Sequence, residues 1–129
     1  MKKAIQKAAV LIEALPYIQR FRDEIIVVKV GGSAMENEAQ TEGILKDVAF
    51  MACVGMRPVI VHGGGNAISR VMKERGIESR FVKGLRVTCE RSIEVVAEVI
   101  GGDVNLKIVE ALRATGTRAL LWCSGRSAW

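Results

Sequence analysis

Two apolar runs in this sequence end in glycines where a helix is due to begin. Ile25-Ile26-Val27-Val28-Lys29-Val30 leads into Gly31-Gly32-Ser33, and Val59-Ile60-Val61-His62 leads into Gly63-Gly64-Gly65-Asn66. A strand that turns through glycine into a helix presents unhindered N–H groups and a positive helix end to an anion. Two such junctions on one sheet can hold two anionic groups close together, which is what phosphoryl transfer requires.

Lys29 and His62 in these segments, the glycine triplet itself, and Arg86 further along could do chemistry. Lys29 stands one place from the end of the first run. An uncompensated ammonium inside a sheet is costly. At the strand's carboxyl end Lys29 either reaches a phosphate lying over the glycine N–H groups or snorkels at the sheet edge. Gly63-Gly64-Gly65 exceeds what a turn requires and lets a ligand approach the backbone closely. His62, the sole histidine, reads as a hydrogen-bonded structural residue or a general base. Arg86, which follows Gly84, is a bidentate clamp on a carboxylate or a surface arginine. Neither glycine cluster fits G-x-x-x-x-G-K-[ST], and Ile68 occupies the place of the last glycine in GxGxxG, so P-loop and dinucleotide-fold readings fail. No serine–histidine–acid set is recognisable.

The elements that must position these residues follow from periodicity. Residues 2 to about 22 read as an amphipathic helix with Ile5, Ala8, Ala9, Ile12 and Leu15 at helical spacing. Pro16 is expected to kink or divide it. This arm packs on its own domain or docks on another subunit. Ile25–Val30 is a strand whose β-branched run predicts burial on both faces. A loop through Ser33–Asn37, a helix over Glu38–Val54 capped at Gly55, a strand over Val59–His62 opened by Pro58, and a helix over Asn66–Arg75 stopped at Gly76 follow. This β-α-β-α order predicts a three-layer αβα sandwich with a mainly parallel sheet and a right-handed crossover. Phe81–Thr88 reads as a short hairpin about Gly84. A helix over Cys89–Ile100, capped by Thr88, is broken by Gly101-Gly102. Another runs from Asp103 or Val104 to Ala114, and Arg118–Leu121 could start a strand.

The bulk numbers narrow the class. A chain of 129 residues buries roughly two thirds of its unfolded surface, enough for a core. With 50% apolar and 26% charged residues, it is a globular sequence, not a disordered one. The net charge of +5 is scattered among acids, with no basic run and only 5% aromatics. That pattern argues against nucleic acid and suits small anionic substrates. Cys53, Cys89 and Cys123 are odd in number and far apart. They read as reduced cysteines of a cytoplasmic protein and predict no metal site. Lys7 and Glu13 interrupt the N-terminal apolar stretch, so it is no signal peptide. No segment predicts a membrane span.

Lys29-Val30-Gly31-Gly32-Ser33-Ala34-Met35, Val59–Gly65 and Gly84-Leu85-Arg86-Val87-Thr88, in that order, resemble the amino acid kinase family, and its branch that phosphorylates N-acetyl-L-glutamate. The resemblance runs from about Ala8 to Thr117. It implies transfer of the γ-phosphoryl group of ATP, with Mg²⁺ on the nucleotide, to the side-chain carboxylate of N-acetyl-L-glutamate in arginine biosynthesis. It further implies that Lys29 stabilises the transition state and that Gly31, Gly32 and Gly63 bind phosphate. Gly64, Gly65 and Arg86 would bind substrate, Arg86 through the α-carboxylate. The arm, with Ala14-Leu15-Pro16-Tyr17-Ile18, resembles the helix that links dimers into hexamers in the arginine-inhibited branch, which implies a homo-oligomer. Family members are more than twice this long, and the half that supplies their ATP site has no counterpart here. Three segments are therefore expected: an arm at 1–22, the substrate-binding part of a kinase domain at 23–120, and an aberrant tail at 121–129, read as an out-of-frame or misassembled end or as a natural truncation. Such a piece is expected to be inactive alone. Two other readings remain: another carboxylate or carbamate kinase of the same fold, and a non-catalytic module that docks on a full-length kinase.

Overall fold

Strands β1 (Ile25–Val30) and β2 (Arg57–His62) pair in parallel, in a register that runs from Ile25 opposite Arg57 to Val30 opposite His62. The computed structural model describes residues 1–122; the expected tail at 121–129 therefore lies almost wholly outside the described residues. Helix α1 (Lys2–Phe21) precedes β1, and the short α2 (Gly32–Glu36) and α3 (Glu38–Cys53) connect the two strands. Asn37 caps α3, its side chain accepting the Gln40 N–H at 3.2 Å. Gly55, at φ 94°, closes α3 in the left-handed conformation that glycine tolerates.

After β2 come α4 (Gly65–Glu74), the antiparallel hairpin β3 (Arg80–Val82) and β4 (Leu85–Val87), α5 (Glu90–Glu98), a π-helical turn (Val99–Val104) and α6 (Asn105–Ala114). Lys83 and Gly84 both take positive φ, as the tight turn of a two-residue hairpin demands. The core gathers Leu45 and Val48 of α3, Ile68 and Met72 of α4, Val95 of α5, Val99 and Val104 of the π turn, and Ile108 and Leu112 of α6. Val28 and Ile60 of the sheet pack against it. The α/β class and the parallel sheet are as the sequence implies.

Several local expectations are corrected. The sheet is covered on one face only. Val28, Val30 and Ile60 face the helices, whereas Ile25 and Val27 are 67% and 64% exposed and Val59 and Val61 are 47% and 48% exposed. Strand side chains alternate faces, and α3 to α6 all lie on the Val28 side. A β-branched run reports strand preference, and both-face burial does not follow from it alone. The third layer of the sandwich is thus not formed among the described residues. Pro16 does not divide α1, which continues as one 20-residue helix with no buried residue. The stretch Ser33–Asn37 is not wholly loop, since α2 occupies most of it.

Gly101-Gly102 do not break the helix. They widen it into a π turn that joins α5 to α6, a device that recurs beside functional sites. Cys89, not Thr88, is the N-cap of α5: Ser92 Oγ accepts the Cys89 N–H at 2.7 Å in a reciprocal capping box. No strand forms over residues 118–121. Arg113 instead donates to the Ala119 carbonyl at 3.0 and 3.1 Å, and Asn105 donates to the Trp122 carbonyl at 2.9 Å. Those side chains satisfy carbonyls that a ladder would otherwise pair.

Candidate functional site

The parallel register brings both strand–glycine junctions to the same end of the sheet. Val30 lies opposite His62, and Gly63 N–H donates to the Val30 carbonyl at 3.3 Å. That bond ties the second junction to the end of the first strand. It also engages the Gly63 amide inside the protein. Gly64 caps α4, and its carbonyl accepts the Ile68 N–H at 2.8 Å. The amides of Gly65, Asn66 and Ala67 therefore precede the first bond of the helix and face outward along its axis.

Backbone strain does not explain these glycines. Among the described residues, positive φ at glycine is confined to Gly55, Gly76, Gly84 and Gly116. A Cβ added at Gly31, Gly32, Gly63 or Gly65 would meet nothing within 4 Å. At Gly64 it would come within 3.3 Å of Ile100 Cγ1 and 3.6 Å of Val104 Cγ2. The π turn therefore backs the second glycine loop directly. At the other four an added Cβ would stand in open space, so no packing contact requires glycine there.

Gly32, Gly64 and Gly65 share a cavity of about 1040 Å³ that extends between α3, α4 and α6. Its charged lining is mixed: Glu36, Glu38 and Glu42 against Lys46, Arg70 and Lys107. Lys46 lies 2.7 Å from Glu42 and holds that carboxyl below the usual carboxylate range, by hydrogen bonding first and charge second. Arg70 and Lys107 are the cations here that the sequence motifs do not single out. The available signal was the i, i+4 spacing of Asn66 and Arg70, which puts both on one face of α4 above the glycine loop.

The remaining candidates take different positions. Lys29 lies opposite Val61 on the open sheet face, exposed, and is not part of the cavity lining. His62 is half-buried, with Nδ1 3.0 Å from the Gly63 carbonyl. A carbonyl only accepts, so in this contact Nδ1 acts as the donor.

Arg86 reaches from β4 to the second junction. Its Nη2 donates to the Gly65 carbonyl at 3.1 Å and to Ser69 Oγ at 2.5 Å. Its Nη1 donates to Ser79 Oγ at 2.8 Å and meets Met72 Sδ at 3.2 Å. Its guanidinium carbon sits 4.6 Å from the centre of the Phe81 ring, a cation–π contact. A cationic group is thus anchored beside the glycine loop and half shielded from water, with both terminal nitrogens turned to acceptors within the protein. No group of three or more His, Cys, Asp or Glu among the described residues could hold a metal ion.

The amino acid kinase family model matches residues 24–127, and the chain belongs to that family. Its sequence relatives are acetylglutamate kinases. The enzyme of Heliobacterium modesticaldum is 45% identical over 123 residues, which cover 95% of this chain and 42% of that protein. That of Synechococcus elongatus is 48% identical over 120 residues, covering 93% of this chain and 40% of that protein. The N-acetylglutamate synthase of Neisseria gonorrhoeae, solved with coenzyme A and N-acetyl-glutamate, superposes with a TM-score of 0.68 at 27% identity, over 84% of this chain and 25% of that one. The chain thus spans about two fifths of the kinases it matches.

Proposed function

We propose that these residues form the substrate-binding part of an acetylglutamate kinase, holding N-acetyl-L-glutamate while the γ-phosphoryl group of ATP passes to its side-chain carboxylate. The observation that carries the reading is the placement of both glycine junctions at one end of a parallel strand pair, bridged by the Gly63 N–H to Val30 carbonyl bond. The names of the relatives and the ligand of the synthase support the same substrate.

The division of labour follows from charge. Donor and acceptor are both anionic and must be held in line, and fixed amides offset their repulsion without reorganising during transfer. Gly31 and Gly32 serve the phosphoryl group. Gly64 and Gly65 serve the transferring group and the acceptor. Lys29, at the carboxyl end of β1, stabilises the developing charge, and Arg86 takes the α-carboxylate. Mg²⁺ enters with ATP. Losing one such donor typically costs about 10²–10³ in rate.

Titration calorimetry on the 129-residue chain tests the substrate. N-acetyl-L-glutamate is expected to bind, L-glutamate and L-aspartate at least tenfold more weakly (about 1.4 kcal/mol), and Arg86→Ala is expected to abolish the heat. Equal affinity for the three ligands would point to another carboxylate kinase of this fold. ATP-dependent acyl phosphate, trapped with hydroxylamine, is expected only when the rest of a full-length kinase is supplied.

A further inference from the structure

Arg86 is held more firmly than a ligand-seeking arginine at a surface needs to be. Four acceptors from two segments meet its two terminal nitrogens: the Gly65 carbonyl, Ser69 Oγ and Met72 Sδ of α4, and Ser79 Oγ from the chain before β3. Ser69 Oγ also donates to the Gly65 carbonyl at 2.9 Å, so one hydroxyl bridges the glycine loop and the guanidinium. Ser79 Oγ lies 3.5 Å from Met72 Sδ, which is buried. Phe81 covers one face of the plane. Among the described residues the Nε–H of Arg86 has no partner.

We propose that Ser69 and Ser79 are positioning residues for Arg86, holding its guanidinium over Phe81 with Nε–H directed to the incoming carboxylate. The inference rests on the reading of Arg86 as the carboxylate clamp. A guanidinium on a flexible stem loses rotamer freedom when it grips a ligand, and a grip arranged beforehand removes that loss from binding. The two serines act on opposite terminal nitrogens, so together they fix the orientation of the guanidinium plane. Ser69 also donates to the Gly65 carbonyl that Arg86 Nη2 meets directly, which reinforces the tie between the guanidinium and the glycine loop.

The test uses the ¹⁵N-labelled 129-residue chain. The Arg86 Nε–Hε signal, assigned by its loss in Arg86→Lys, is expected to be sharp and slow to exchange. Ser69→Ala and Ser79→Ala are each expected to speed its exchange and to weaken N-acetyl-L-glutamate binding about tenfold, the weight of one hydrogen bond to a charged group. Ser69→Thr keeps the hydroxyl and is expected to restore both. If both alanine variants merely lower the melting temperature while the Arg86 signal and the affinity stay as in the parent, the serines are structural and the proposal is overturned. If the parent chain shows the slow Arg86 signal but no affinity for N-acetyl-L-glutamate, the substrate assignment fails. The exchange rates in the variants still decide whether the serines hold the guanidinium.

Discussion

Gly65 and Gly64 separate binding from folding at the scale of single residues. Gly65 opens α4, has no positive φ, and an added Cβ would meet nothing within 4 Å. Gly65→Ala is therefore expected to leave stability unchanged or raise it by up to about 1 kcal/mol, since alanine is the better helix former. The same methyl would stand where a ligand must approach the amide, and calorimetry is expected to show affinity falling at least tenfold (about 1.4 kcal/mol). Gly64→Ala adds a crowded contact with Ile100 Cγ1, so its melting temperature is expected to drop while binding also weakens. An unchanged affinity in Gly65→Ala would show that its amide is not a ligand donor. The sequence disclosed the glycines, Lys29 and Arg86 because their types announce their chemistry. It did not disclose Ser69, Ser79, Arg70 or Lys107. Those are common residues on helix or hairpin surfaces, and their relevance depends on which elements meet.

The caps and joints carry the predictions at the scale of elements. Ser92 is 1% exposed and exchanges hydrogen bonds with the Cys89 backbone. Ser92→Ala is expected to destabilise by about 1–2 kcal/mol in chemical denaturation. The same hydroxyl, with neighbouring N–H groups, holds the Cys89 thiol below the usual thiol range. Alkylation of Cys89 near neutral pH is therefore expected to slow in that variant.

Arg75 and Glu98 join α4 to α5 through a paired contact at 2.7 and 2.8 Å. Hydrogen bonds from Arg75 hold the Glu98 carboxyl below the ordinary carboxylate range. Its contribution is thus complete above the unfolded carboxyl value and lost as pH falls through the lower, folded one. Glu98→Gln is expected to flatten the fall of melting temperature with acid in that window, an effect that salt should also weaken because both groups are exposed. Most elements were legible from period and punctuation: the two parallel strands, α3, α4 and the hairpin were all anticipated to within a residue or two. The π turn was not. Glycine pairs ordinarily end helices, and only the core contacts of Val99 and Val104 hold this one together.

At the scale of the whole molecule, the open sheet face and the exposed apolar positions of α1 dominate. Ile25, Val27, Val59 and Val61 form a bare patch on a sheet that, among the described residues, has two strands and both edges unpaired. Such surfaces associate. The isolated chain is expected to self-associate in light scattering. Val27→Thr with Val61→Thr is expected to reduce association with little change in melting temperature, because neither side chain is in the core. A monodisperse parent monomer would contradict this. The sequence could not show the bare face, since strand preference and burial look alike in a run of valine and isoleucine. No helix among the described residues is long and apolar enough to cross a membrane.

The central claim is that the two glycine junctions and Arg86 form one anion-binding site. A ¹H–¹⁵N titration of the 129-residue chain with N-acetyl-L-glutamate tests it most directly. Saturable shifts at the Gly64 and Gly65 amides and at Arg86 Nε–Hε, accompanied by smaller ones at Gly31 and Gly32, are the expected result. Shifts confined to other surfaces, or none at millimolar ligand, would contradict it.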